Sequence, residues 1–267
     1  MLDFFILPSL EILLVCLVAV MIVGISKSGL GGGLSFLGVP LLSIYVSPIL
    51  AIAVMLPILC LIDIFTIRKF WGKWSWSVIL GFLPFAFLGI IAGSFVINLL
   101  DFVALKGLIG VLSVFFALQY FLSKPKVPHS GQKNKIDRSW RRILDMVLAF
   151  CCGVVSTLAH VGGPFVSMYI LPKQLDKTVL VSSVAFIFLL VNVSKIVPYT
   201  FLDLFSAESL SLSLLMVPVV PVSVALGVWL HNNLRNDIFY KLSYIAVFTL
   251  GMKLIFDTLA AYESFLF

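Results

Sequence analysis

Apolar runs follow one another from about residue 9 to the C-terminal end of this 267-residue chain, separated by short polar turns and one longer polar stretch. A run of about 20 apolar residues is the length an α-helix needs to cross the hydrocarbon core of a bilayer. Only 11% of the residues are charged and 61% are hydrophobic, whereas soluble domains average ~25% charged. The alternating ten-residue segments of a β-barrel are absent. The pattern predicts an all-α polytopic membrane protein whose first partner is the lipid bilayer.

Hydropathy places long helices at about 9–27, 49–68, 75–98 and 103–122, and again at about 143–158, 178–200, 208–231 and 238–260. Two shorter segments, about 31–46 and 161–172, are interrupted by glycine. The polar stretch SKPKVPHSGQKNKIDRSWRR (123–142) divides the chain into an N-terminal transmembrane repeat, 1–122, and a C-terminal one, 143–267. One constant offset pairs Pro84 with Pro218, Gly93 with Gly227 and Asn98 with Asn232; a slightly shorter one pairs Gly32 with Gly162 and Gly33 with Gly163. The expected fold is therefore two inverted repeats of about five membrane segments each, with a short glycine-broken segment in each half.

The net charge of +6 does not point to nucleic acid, because Lys124, Lys126, Lys133, Lys135, Arg138, Arg141 and Arg142 all fall in the central stretch. That clustering marks a cytoplasmic linker, as do Arg68, Lys69 and Lys73 in RKFWGKW and, more weakly, Arg235. The turns near Asp203, Glu208, Asp257 and Glu263 lack bases, which puts them and both termini outside. Ten crossings, or six crossings with two re-entrant hairpins, satisfy these signs equally. No base precedes Lys27, so the first helix is expected to stay as an anchor. Cys16, Cys60, Cys151 and Cys152 read as small buried hydrophobes. No metal or cofactor is called for.

The sequence GISKSGLGGGLSFLGVP (24–40) breaks its apolar run with glycines beside a lysine. Broken backbone leaves amides that lipid cannot satisfy, so it is tolerated only inside protein or beside a water-filled cavity. Short interrupted segments at matching places in two halves point to a transporter's binding site. Glycine amides at a helix start favour anions. Gly29, Gly31, Gly32 and Gly33 would present them in the first half, and Gly162 and Gly163 in the second. Ser26, Ser28, Ser156 and Thr157 add hydroxyls, Lys27 a full charge and His160 an imidazole. Set against this are helix packing for the glycines, a snorkelling Lys27 and a packed His160. Asp63, Asn192 and Lys195 are polar residues within apolar runs that could line a path or serve coupling to a proton or sodium ion. Lys253 and Asp257, four apart, suit a surface ion pair.

The stretches SKSGLGGGLSFLGVPLL (26–42) and STLAHVGGPFVSMYILP (156–172) are similar to the paired signatures of the TauE/SafE family of sulfite exporters. The resemblance implies a multi-pass carrier of a prokaryotic plasma membrane, moving sulfite or sulfonate-type anions, often outward, on an ion gradient rather than ATP. It carries over to Gly29, Gly31, Gly32, Gly33, Pro40, Gly162, Gly163 and Pro172; His160 and Val161 replace a fuller glycine run in the second motif. The competing readings are a non-transporting subunit of a larger complex and an intramembrane enzyme. Ser156 and His160, one helical turn apart, would be the enzyme's nucleophile and base.

Overall fold

The computed structural model describes residues 9–29, 35–122, 138–233 and 237–266. Among these the chain is helical, without strands. The elements run α1 (Leu10–Gly29), a 3-10 turn (Ser35–Leu37), α2 (Gly38–Leu42), α3 (Pro48–Lys69), α4 (Trp76–Leu99) and α5 (Phe102–Leu122). The second half continues with α6 (Arg138–Ala159), α7 (Gly163–Ile170), a 3-10 turn (Leu171–Lys173), α8 (Lys177–Phe201), α9 (Ala207–Met216), α10 (Val219–Asn233) and α11 (Asp237–Leu266). Six helices (α1, α3, α4, α5, α6 and α8) are long and apolar enough to cross a membrane, and α9 with α10 makes a seventh if counted as one bent span.

Local chemistry fixes many of these ends. Ser47 accepts a hydrogen bond from the Leu50 amide at 3.2 Å and Pro48 opens α3, a placement that suits proline because no N–H is needed there. Ser206 and Ser209 cap each other's backbone at the start of α9. The single helix expected over 208–231 is two helices bent by 49°. Pro218, in the break, has no N–H to continue the ladder, whereas Pro57, Pro84 and Pro198 lie inside unbroken helices. α6 begins at Arg138, earlier than expected, and its polar first turns are held by Arg141 on Asp145 at 3.1 Å.

The described helical parts of the two short segments are too short to cross a bilayer. Ser35–Leu42 rises roughly 13 Å and Gly163–Lys173 roughly 18 Å, against ~30 Å of hydrocarbon. α2 packs on α1 and α3, and α7 on α6.

Helix pairing follows a two-fold pattern. α1 packs on α10 and α6 on α4; α3 packs on α9 and α8 on α4; α3 meets α8, and α5 meets α11. Exchanging the halves leaves this set of pairings unchanged. Small residues make the seams: Gly24 lies against Ser223 and Gly29 against Gly227 in α1–α10, while Gly89 lies against Phe150 and Gly153, and Gly93 against Val154 and Thr157, in α4–α6. Large apolar side chains such as Phe95, Leu99 and Phe201 stand exposed around the outside, the face a bilayer would cover.

A methyl group at Gly153 would collide with the Ala86 carbonyl, and one at Gly89 with that of Phe150. Backbone cannot move aside as a side-chain tip can. Gly153→Ala is expected to lose about 1–3 kcal/mol, the usual range for overpacking, read as a lower midpoint of thermal unfolding in detergent. Gly72, with φ of 73° and open space around it, should lose only its left-handed freedom on substitution to Ala, about 1–2 kcal/mol.

Candidate functional site

α3 and α8 cross antiparallel at the centre of the bundle. Ser182 donates to the Phe70 carbonyl at 3.1 Å near one end, and Asn192 donates to Asp63 at 2.8 Å further in. Asp63 stands as far from the start of α3 as Asn192 does from the start of α8. The two residues stand equally deep in their helices and meet each other directly.

Asp63 is 0% exposed. Its Oδ2 accepts from Asn192 and from Lys27 Nζ, the latter at 2.7 Å, and the same ammonium lies 2.7 Å from Oδ1 as an ion-pair contact. Lys27, near the end of α1 and 3% exposed, does not snorkel; it points inward. Its ammonium also stands 4.8 Å from the centroid of the Phe188 ring, a cation–π contact. Asp63 therefore pairs with a lysine 36 residues away rather than with Arg68 on its own helix.

Beside this pair lies a second group. Lys195 Nζ contacts the Ser156 carbonyl at 3.1 Å, Ser156 Oγ at 3.0 Å and His160 Nδ1 at 2.7 Å. His160 Nε2 faces the Ile52 carbonyl of α3 at 2.9 Å. The chain turns sharply here: the His160 amide makes the closing bond of α6 to the Ser156 carbonyl, and His160 takes φ of 55°. That left-handed residue ends the helix and swings the imidazole between α3 and α8. Both ring nitrogens are engaged by other partners, so Ser156 and His160 do not form the nucleophile–base contact that an enzyme reading needs.

The other sequence-derived residues divide. Gly162 is the N-cap of α7, Gly163 opens it, and a methyl at Gly162 would meet Cys152 Sγ, the Phe188 ring and Ser156 Cβ. It therefore borders the cluster. Ser26 is buried on α1. Ser28 donates to the Gly24 carbonyl of its own helix and to the Val224 carbonyl of α10, and Thr157 donates to the Gly153 carbonyl of its own helix. Gly29 is packed on Gly227, and its carbonyl faces His231 Nδ1 at 2.9 Å. Gly31, Gly32 and Gly33 lie outside the described residues, as does the linker from 123 to 137. A 3-10 turn, rather than an α-helix, follows the first glycine run. Lys253 pairs with Asp257 at 3.1 Å, as their spacing predicts, and Lys106 of α5 joins them at 3.2 Å.

Phe188 and the Ile52 carbonyl are the members that sequence reasoning missed. Phe188, Asn192 and Lys195 fall at i, i+4 and i+7, one face of α8, and that spacing was the available signal for Phe188. A backbone carbonyl leaves none.

Removing one partner of a buried ion pair strands the other charge, at a cost of about 3–5 kcal/mol. Asp63→Asn is expected to lower stability by that order, whereas Lys27→Met with Asp63→Leu should recover most of it. Thermal unfolding of the purified variants checks both.

Neither curated proteins nor solved structures yield a match. The family model of the sulfite exporter TauE/SafE matches residues 16–254, from the middle of α1 well into α11. The match takes in every residue of the buried cluster, and the chain belongs to the TauE/SafE family of membrane transporters.

Proposed function

We propose that the protein is a secondary carrier, working as an exporter, of small anions, with sulfite or an organosulfonate-type sulfur compound as substrate. One observation carries the reading: two lysines, Lys27 and Lys195, are buried at the crossing of α3 and α8 with a single carboxylate, Asp63, in direct contact with one of them. Intramembrane ionisable groups are costly and mark ion pathways, and a buried lysine with no carboxylate of its own suits an anionic guest. The break at His160–Gly162 borders the cluster, where protein surrounds the interrupted backbone.

The halves act as inverted repeats, rocking about the α3–α8 crossing to open the cluster to each side in turn. The antiparallel crossing of the corresponding helices α3 and α8 supports inversion. α4 and α6 run parallel, Gly89 facing Phe150 and Gly93 facing Val154 and Thr157. The Ser75 amide donates to Ser183 Oγ near the start of α8. Arg68, Lys69, Lys73, Arg141 and Lys177 thus gather at one end of the bundle, which we assign to the cytoplasm. Both termini then lie outside, in a prokaryotic plasma membrane.

The test is sulfite efflux from proteoliposomes. Saturable efflux is expected for the wild type, reduced at least tenfold in Lys195→Ala and in the Lys27→Met, Asp63→Leu variant. Equal flux in wild type and protein-free liposomes would overturn the carrier reading. Undiminished flux in a folded Lys195→Ala protein would move the anion away from this cluster.

A further inference from the structure

Lys195 differs from Lys27 in the company it keeps. Lys27 touches a carboxylate, whereas the hydrogen-bond partners of Lys195 among the described residues are Ser156 and His160, none of them charged acceptors. Lys195 is 0% exposed. The titratable and charged groups around it are Lys27 from α1, Cys60 and Asp63 from α3, Cys152 from α6 and His160 at the turn. Lys27 and Asp63 offset each other, so the charge left to balance in the cluster is that of Lys195 itself.

The hydrogen-bond inventory shows how such a residue can be accommodated. The Ile52 carbonyl can only accept, so His160 Nε2 carries the proton and Nδ1 presents a bare lone pair to Lys195. The Ser156 carbonyl is also acceptor-only, while the Ser156 hydroxyl can accept or donate. An ammonium donates to all three. A neutral amine donates to the carbonyl and to Nδ1, and its own lone pair accepts from the Ser156 hydroxyl. The two states differ by rotation of one O–H, with every heavy atom in place. A lysine fixed as a cation would be served as well by a carboxylate, the arrangement Lys27 already has.

We propose that Lys195 is the proton-coupling residue of the carrier, taking up one proton with each monoanion and releasing both on the other side, so that export follows the anion's own outward gradient and an inward proton gradient opposes it. This rests on the anion-carrier reading. The amine takes a proton from water on the entry side as the anion arrives, the ammonium and anion cross as a neutral pair, and the proton returns to water on the exit side when the anion leaves. The empty site resets as an amine, so neither half of the cycle carries uncompensated charge through the low-dielectric interior.

The experiment is titration calorimetry on the purified full-length protein in detergent, with methanesulfonate as the probe. That anion keeps one charge across the working pH range, whereas sulfite takes up a proton of its own. Comparing two buffers of different ionisation enthalpy counts protons bound per anion. For the wild type, uptake should approach one proton per anion at alkaline pH, with affinity falling roughly tenfold per pH unit there. Lys195→Arg, which cannot release its proton, should bind with no uptake and a pH-independent affinity. Binding without proton uptake in the wild type, or unchanged uptake in the arginine variant, overturns the coupling role and leaves the carrier reading standing. Failure to bind either methanesulfonate or sulfite overturns the carrier reading and the coupling role with it. Should the arginine variant not fold, Lys195→Gln, which has no proton to exchange, takes its place and is likewise expected to bind without uptake; uptake that persists in it overturns the role of Lys195.

Discussion

A charge held inside a helical bundle must be answered by a group that reaches it, and here the contact of Lys27 with Asp63 brings three helices to one point. α1 supplies the lysine, α3 the carboxylate and α8 the amide of Asn192 that takes a further share of the same oxygen. None of these residues is accessible enough for water to substitute. With the carboxylate committed to Lys27, Lys195 is left to neutral partners. The division of labour between the two lysines follows from that single commitment.

The glycine seams make the contact reachable. Side chains at Gly24, Gly29, Gly89 or Gly153 would push α1 from α10 and α4 from α6. The close seams let the outer helices clasp the central pair at short range, where a lysine from α1 can span to α3. Glycine serves the seams and the buried cluster in different ways. In the seams it permits approach, as membrane helices generally do with small residues; at Gly162 it leaves room for Phe188 and Ser156 at the edge of the cluster.

Much of this was legible in the sequence, for a physical reason. In a chain so apolar, Lys27, Asp63, Asn192 and Lys195 stand out because each would be costly if left facing lipid. Their partners were not legible. Asp63 lies five residues from Arg68 and 36 from Lys27, and only the approach of α1 to α3 selects the distant one. Phe188 is one of 24 phenylalanines, and its place beneath Lys27 depends on how α8 is turned. Proline was similarly ambiguous: Pro218 breaks its helix while Pro57 and Pro84 do not, because neighbouring helices and local adjustment can absorb a missing N–H. The backbone partners of Ser28 and Thr157, carbonyls on their own helices, left no mark in the sequence either.

Asp63 meets Asn192 where α3 crosses α8, at equal distance from the start of each helix. Two identical helices could not have built this contact. An aspartate there would face another aspartate, two like charges out of reach of water, and an asparagine would face another asparagine with no charge to hold Lys27. The polar centre requires α3 and α8 to carry different side chains at the point where they meet.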